Sequence, residues 1–234
     1  MKRSIISQFD QYKERLGGYV GMMSFRYMNL CVKAEEASLI PVEVPIEDEL
    51  KKIEEVANIA KNDDYSFKVF PIYEDDLLAV GKGIGFVHPE FKQEVETMNI
   101  ELDDGQKVDV KYILLTMPEV DDERYDVLKT AVDTLYDQCK VQMEGARAEA
   151  EAKLAYMMVD ETKEDVDRMK DAVEDIWNTW TKKRDQVHED KLKEIEEGHQ
   201  RYLQGKAEQQ KLLQEQKESN DDTLMHSIKL NQEE

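Results

Sequence analysis

All five prolines of this 234-residue chain, Pro41, Pro45, Pro71, Pro89 and Pro118, fall between positions 41 and 118. Proline lacks the backbone donor a helix needs and its ring collides with the preceding turn, so it interrupts helix interiors. The segments before and after this window are free to form long helices, and mixed structure is confined to the middle. One residue type thus predicts a helical body with a different domain set into it.

Apolar periodicity supports that division. Ile5, Phe9, Tyr12, Leu16, Tyr19, Met23, Tyr27 and Leu30 recur at steps of three and four, the seam of an amphipathic helix over 3–34. Gly17, Gly18 and Gly21 weaken it by about 1 kcal/mol each against Ala, and either admit a close neighbour or mark a bend. Downstream, Asp121 or Asp122 supplies an N-cap with acidic residues in the first turn. Leu128, Val132, Leu135, Cys139, Met143, Ala146, Ala150, Leu154 and Met157 then hold one stripe. Thr162 followed by Asp165 resembles a capping box ahead of a third helix over 163–204, marked by Val166, Met169, Val173, Ile176, Trp180, Val187, Ile195 and Tyr202. Three such helices pack as a bundle at shallow crossing angles.

The middle reads as a small α/β unit. The pattern predicts a strand over 39–44, a helix over 46–60, a strand around Phe67, Val69 and Phe70, and a short helix over 75–83. A hairpin over 97–102 and 107–117 follows, about the turn signal Asp103-Asp104-Gly105. The predicted fold class is α+β: a three-long-helix bundle from 1–38 and 119–204, an inserted α/β domain over 39–118, and a hinge at Ser38 and Pro118. Residues 205–234, with several glutamines and few large apolar side chains, read as a flexible polar tail.

Charge narrows the function. The chain carries 32 basic and 53 acidic residues, a net of −21, which excludes a general nucleic-acid coat and argues against DNA as a partner. The balance is uneven, at +2 over 1–40, −10 over 41–118 and −13 over 119–234. Cys31 and Cys139 stand far apart among apolar residues, with no CxxC and no Cys/His cluster in sequence, so the expectation is buried free thiols and no zinc or other metal site. The start, MKRSIISQFDQY, turns polar too soon for a signal peptide, and the apolar run over 112–115 is too short for a membrane span. A cytoplasmic protein without membrane contact is expected.

No chemistry-bearing set stands out. Gly81-Lys82-Gly83-Ile84-Gly85 lacks the spacing of a dinucleotide loop and reads as a glycine-rich helix end. Asp185 with His188 and Glu196 with His199 have the spacing of carboxylate-bridged di-iron bundles, but both pairs fall on one helix, whereas such sites need them on two. Trp177 and Trp180 read as helix core. The expectation is no enzyme, no catalytic residues and no cofactor.

Several segments, in order along the chain, resemble the ribosome recycling factor family. These are Ile53-Glu54-Glu55-Val56-Ala57-Asn58-Ile59, the strand running from Tyr65 to Tyr73, the stretch from Asp75 to Phe91, the run from Ile113 to Arg124, and Ala146-Arg147-Ala148-Glu149-Ala150-Glu151-Ala152-Lys153-Leu154. Glu164-Asp165 and the region from Lys182 to Ile195 complete the likeness, which covers about 1–204. The resemblance implies an L-shaped two-domain protein whose bundle docks on the large ribosomal subunit. It would split post-termination ribosomes together with a translocase GTPase. It further implies that Arg147, with Arg26 and Lys140, contacts ribosomal RNA. The chain departs from the family pattern at Glu144, one turn before Arg147, at Ala148 after it, at Asn29 in place of a second arginine, and in a longer 89–107 segment. With the acidic surface, these departures leave a second function open: the same fold repurposed as a protein-binding or assembly component, such as one carried by a mobile element.

Overall fold

The computed structural model describes residues 3–47, 49–101 and 107–230. In chain order, α1 (Arg3–Met28) leads through a 3-10 turn (Glu36–Leu39) to the hairpin β1 (Glu43–Ile46) and β2 (Glu49–Lys52), a single turn α2 (Ile53–Val56), β3 (Ala57–Asp63), β4 (Ser66–Pro71), α3 (Leu77–Val87), β5 (Lys92–Glu101) and β6 (Lys107–Thr116). Two long helices, α4 (Asp122–Met157) and α5 (Lys163–Leu230), complete the chain.

The bundle is α1, α4 and α5, packed along the predicted seams. Leu16, Val132, Met143, Leu154 and Ile195 are fully buried in its core. Asp121 caps α4 by accepting from the Arg124 backbone N–H at 2.8 Å. At the start of α5, the Thr162 hydroxyl accepts from the Asp165 N–H at 3.2 Å and donates to the Asp165 carboxylate at 2.8 Å. The shorter aspartate thus serves the hydroxyl instead of reaching back to the Thr162 backbone, as the longer acid of a full capping box does. α1 runs unbroken through its three glycines. A Cβ at Gly17 would lie 2.9 Å from the Trp180 ring, so the missing side chain lets α5 approach, while Gly18 and Gly21 face open space.

The second domain centres on an antiparallel sheet in the order β3-β4-β6-β5, beside the separate β1–β2 hairpin. Its core joins Leu39, Val42, Val44, Ile53, Phe67, Val69, Ile84, Ile113 and Leu115. Three local expectations change here. The helix predicted over 46–60 is instead β2, one helical turn and β3, because pairing from Ala57 opposite Pro71 to Asp63 opposite Ser66 overrides the local helical pattern. The strand predicted from Leu39 starts only at Glu43. The glycines 81, 83 and 85 lie inside α3 and do not end it. A Cβ at Gly83 would stand 2.7 Å from the Glu43 carbonyl oxygen, so α3 rests directly on the backbone of β1. The predicted hairpin is present as β5 paired with β6 from Lys92 opposite Thr116 to Glu101 opposite Lys107; its Asp103-Asp104-Gly105 turn lies outside the described residues.

The two cores meet where the chain crosses between domains. Cys31 and Ala34 belong to the second core and Val32 to the first, while Met117 belongs to the second and Val120 to the first. At the other end, α5 passes the expected stop at 204 and continues to Leu230. The segment predicted as a polar tail is therefore helical over its described length, with residues 205–216 exposed. It contains no proline, and its Ala, Glu, Gln, Lys and Leu residues extend a helix that tertiary packing has already nucleated. Among the described residues, no helix is long and apolar enough to cross a membrane.

Candidate functional site

Arg147 sits on the edge of α4 that faces α5. Its Nε donates to Glu151 at 2.8 Å and its Nη2 donates across the groove to Glu174 at 2.6 Å. The guanidinium also stands 4.9 Å from the Trp177 ring centroid. With 30% of its side chain exposed, Arg147 lies half-sunk in the α4–α5 groove and does not project freely. The hydrogen bond it donates to Glu151 raises its pKa above the ordinary arginine value. Glu144, the acid singled out by sequence, stands one turn before Arg147 and about 60° around the helix from it, yet makes no ion pair among the described residues. Beneath this cluster the Tyr12 hydroxyl is buried without a hydrogen-bond partner among the described residues. Burial pushes that phenol up to about 12, with the Arg147 charge pulling the other way.

Lys140 precedes Arg147 by two turns, about 10 Å along the axis on the same side of α4. It is exposed and forms no ion pair among the described residues. Arg26 does not join them. Its Nη1 donates to Gln138 at 3.1 Å, and Gln138 lies half a turn around α4 from Arg147. The structure brings Lys140 and Arg147 onto one edge and leaves Arg26 on the opposite, α1-facing edge.

The paired acids and histidines of α5 are occupied by neighbouring helices. His188 bonds the Tyr27 hydroxyl at 3.1 Å, and Tyr136 donates to Asp185 at 2.8 Å. Arg184, buried beside them, donates to Asp185 at 2.7 Å and lies 4.7 Å from the Tyr136 ring centroid. Further along, His199 bonds Asp122 at 2.9 Å and Tyr125 donates to Glu196 at 2.6 Å. These pairs hold α1 and α4 to α5 and do not converge on a common point. Trp177 carries Arg147, and Trp180 fills the space over Gly17.

The two residues expected at the hinge lie at the domain junction. Ser38 is fully buried; its hydroxyl donates to the Glu35 carbonyl at 2.7 Å and its own carbonyl accepts from His88 Nε2 at 2.8 Å. These bonds tie it to the second domain, and core membership alternates between the domains over residues 31–34. Pro118 borders a cleft between the domains, together with Tyr65, Val120, Arg201 and Tyr202. Three further contacts tie α4 and α5 to the crossing strands. Arg124 Nη2 donates to the Leu30 carbonyl at 3.2 Å, Lys33 pairs with Glu197 at 2.9 Å, and a Cβ at Gly198 would stand 2.9 Å from Val120. Within α5 the sequence trace of this junction is Gly198, a glycine amid the polar residues of the helix. The isolated thiol also changes character: Cys31 is buried as expected, yet its Sγ lies 3.8 Å from His88 Nδ1.

The comparisons with known proteins follow this architecture. The family model for the ribosome recycling factor matches residues 28–195. Among solved structures, the chain is similar to the solution structure of the ribosome recycling factor at 15% identity, with a TM-score of 0.64, covering 84% of this chain and 100% of that one. It is similar also to a chain of the models for the T. thermophilus ribosome recycling factor and the E. coli elongation factor G bound to the E. coli post-termination complex. There the identity is 17% and the TM-score 0.51, over 82% of this chain and 98% of that one. No curated protein matches significantly. The family match begins at the end of α1, takes in the whole α/β domain and α4, and reaches into α5 past Trp177 and Arg184, so the chain belongs to the ribosome recycling factor family.

Proposed function

We propose that this protein binds the ribosome as a translation factor of the recycling type and promotes disassembly of post-termination ribosomes. The observation that carries the reading is the family match over residues 28–195, which spans the α/β domain and both crossings to the bundle. In this reading the bundle is a wedge on the ribosomal RNA of the large subunit, and the α/β domain meets a translocase GTPase. The likeness to models of a recycling factor and elongation factor G on a post-termination complex supports that pairing. The role requires shape and binding energy, with no bond made or broken by the protein itself, and it places the protein in the cytoplasm.

Lys140, Arg147 and Arg26 are the proposed RNA contacts. Arg147 reaches RNA by exchanging the Glu151 and Glu174 carboxylates for phosphate oxygens, since its planar fork fits either partner. The two crossings, at 31–34 and around Pro118, are the proposed points of domain reorientation.

A specific observation favours a second reading. Arg147 is already neutralised by two carboxylates in a chain of net charge −21, which suits a partner protein better than RNA. Co-sedimentation with isolated large subunits and with whole ribosomes over a salt series separates the two. The recycling reading expects binding at low salt whose logarithm falls linearly with the logarithm of salt, and subunit separation when translocase and GTP are added. Failure to co-sediment even at low salt would move the assignment to the protein-binding role.

A further inference from the structure

Cys31 is distant in sequence from His88 and Glu90, and meets them where the first crossing strand enters the α/β domain. We propose that these three side chains form a binding site for a divalent cation of the zinc class, with a fourth coordination position open to water.

Their ligating atoms all lie within 4.8 Å of one another. Cys31 Sγ is 3.8 Å from His88 Nδ1, and that nitrogen is 3.1 Å from Glu90 Oε1. Tetrahedral zinc with bonds of about 2.3 Å to sulfur and about 2.0–2.1 Å to nitrogen and oxygen sets these separations near 3.6 Å and 3.3 Å. For these two pairs, closing on a metal asks for shifts of a few tenths of an ångström; the sulfur and the carboxylate, within 4.8 Å of each other, close the rest by rotation of the exposed Glu90 side chain.

Hydrogen-bond direction points the same way. His88 Nε2 lies 2.8 Å from the Ser38 carbonyl oxygen, which only accepts, so Nε2 carries the proton. The neutral ring then presents a lone pair at Nδ1, facing the Glu90 carboxylate and the Cys31 sulfur. Two lone-pair-bearing atoms at 3.1 Å repel unless a cation lies beside them or the ring takes up a second proton. A histidine that bonds a backbone carbonyl through one nitrogen and offers the other inward is the usual arrangement of a metal-ligating imidazole. The ring is fixed in that attitude by stacking on Phe91, with centroids 4.4 Å apart and planes 4° from parallel.

Cys31 is also held in place. It takes φ of 50°, a left-handed backbone conformation uncommon outside glycine. Arg124 Nη2 donates to its carbonyl at 3.4 Å, while its thiol donates to the Asn29 carbonyl at 3.3 Å and leaves sulfur lone pairs for the His88 side. Charge balances: a thiolate and a carboxylate neutralise a dication, so the occupied centre places no net charge in the half-buried seam. Arg124 and Lys191 are the nearby cations; Arg124 is bound to backbone carbonyls, and Lys191 pairs with Glu194 at 2.8 Å. Glu90 is exposed and provides the route in. On binding, the Cys31 S–H bond breaks, a sulfur–metal bond forms and the proton passes to solvent, with no change in oxidation state.

Full-length protein, reduced and stripped with chelator, is titrated with Zn²⁺ by calorimetry and with Co²⁺ by absorbance. The expected result is one equivalent bound, release of a proton, and a thiolate-to-cobalt charge-transfer band. Glu90→Gln, at an exposed position, should weaken binding on the order of 10-fold to 100-fold, at least the cost of losing an outer-shell partner, and Cys31→Ser should abolish the band. Should Cys31→Ser fail to fold, Glu90→Gln together with the wild-type cobalt spectrum decides the matter. Absence of stoichiometric uptake, as expected if the cluster is only an imidazolium–carboxylate pair, overturns the proposal. So does a cobalt spectrum without a thiolate band, or affinity unchanged in Glu90→Gln.

Discussion

The guanidinium of Arg201, on α5, lies 3.7 Å from the ring centroid of Tyr65, in the turn between β3 and β4. This contact joins the bundle to the α/β domain. Tyr65 is itself anchored to the second crossing, since its carbonyl accepts from the Met117 N–H at 2.8 Å. Arg201 falls beyond the residues matched by the family model, so the clasp belongs to the part of α5 that this chain adds to the match.

Arg201→Ala should therefore loosen the domains without unfolding either. An exposed cation–π contact contributes about 0.5–1 kcal/mol, so the melting temperature should barely move. The distribution of distances between labels placed on α4 and on β6 should broaden in single-molecule energy transfer. A distribution identical to wild type would show that the clasp does not restrain the junction.

Two glycine-to-alanine substitutions should act in opposite directions. At Gly145, on α4, the added methyl meets nothing within 4 Å, and removing a mid-helix glycine should stabilise by about 0.5–1 kcal/mol. At Gly83 the methyl would stand 2.7 Å from the Glu43 carbonyl oxygen. The backbone of β1 must then shift, and overpacking of this kind costs about 1–3 kcal/mol. Denaturant unfolding of both variants reads the contrast, and equal effects would refute the close packing of α3 on β1.

The long helices were legible because their seams repeat over many turns, where periodicity is hardest to mistake. The mixed domain was legible mainly as an absence of such repeats. Residues 46–60 carry a helical pattern, yet Ala57 to Asp63 form a strand because β4 offers a partner edge, which no local pattern reveals. The same limit hid the partners of Arg147, because Glu174 comes close only once α5 folds back on α4. It hid the Cys31–His88–Glu90 cluster as well, since only the chain path brings residue 31 beside residue 88. In α5 the difference is of another kind: a polar composition reads as a flexible tail, while the same residues are strong helix formers that continue an anchored helix.

Acid should test the α1–α4 contact through Glu149. Hydrogen bonds from Lys153 and Arg15 hold its carboxyl down at about 2, against an ordinary value of 4.5. A carboxylate depressed in the folded state stabilises above its unfolded pKa, and that contribution disappears as pH falls through the folded value. The loss should fall between about pH 4.5 and pH 2. In Glu149→Gln the denaturation midpoint should decline less steeply than wild type over that window. Parallel acid limbs would show that these exposed pairs do not contribute.

Arg147 and Glu174 make the sharpest test of the proposed ribosome contact, because the same guanidinium serves the fold and the partner in turn. In the free protein Arg147→Ala removes two ion pairs and the stack on Trp177. Half-exposed pairs contribute about 0–1 kcal/mol and the stack about 0.5–1 kcal/mol, so a stability loss near 1 kcal/mol is expected. Loss of a bidentate contact to RNA should weaken ribosome binding by about 1–3 kcal/mol. Glu174→Gln should act oppositely on binding, since it frees one arm of the guanidinium and removes a charge that repels phosphate. It should also steepen the dependence on salt, as one more cation becomes available to displace counterions. Glu144→Arg should have a smaller effect on affinity, because Glu144 does not pair with Arg147 and its removal frees no arm of the guanidinium. Sedimentation with large subunits over a salt series measures all three. If Arg147→Ala and Glu174→Gln both leave binding and its salt slope unchanged, the α4–α5 groove is not the RNA-binding face, and Arg147 serves only to hold the two helices together.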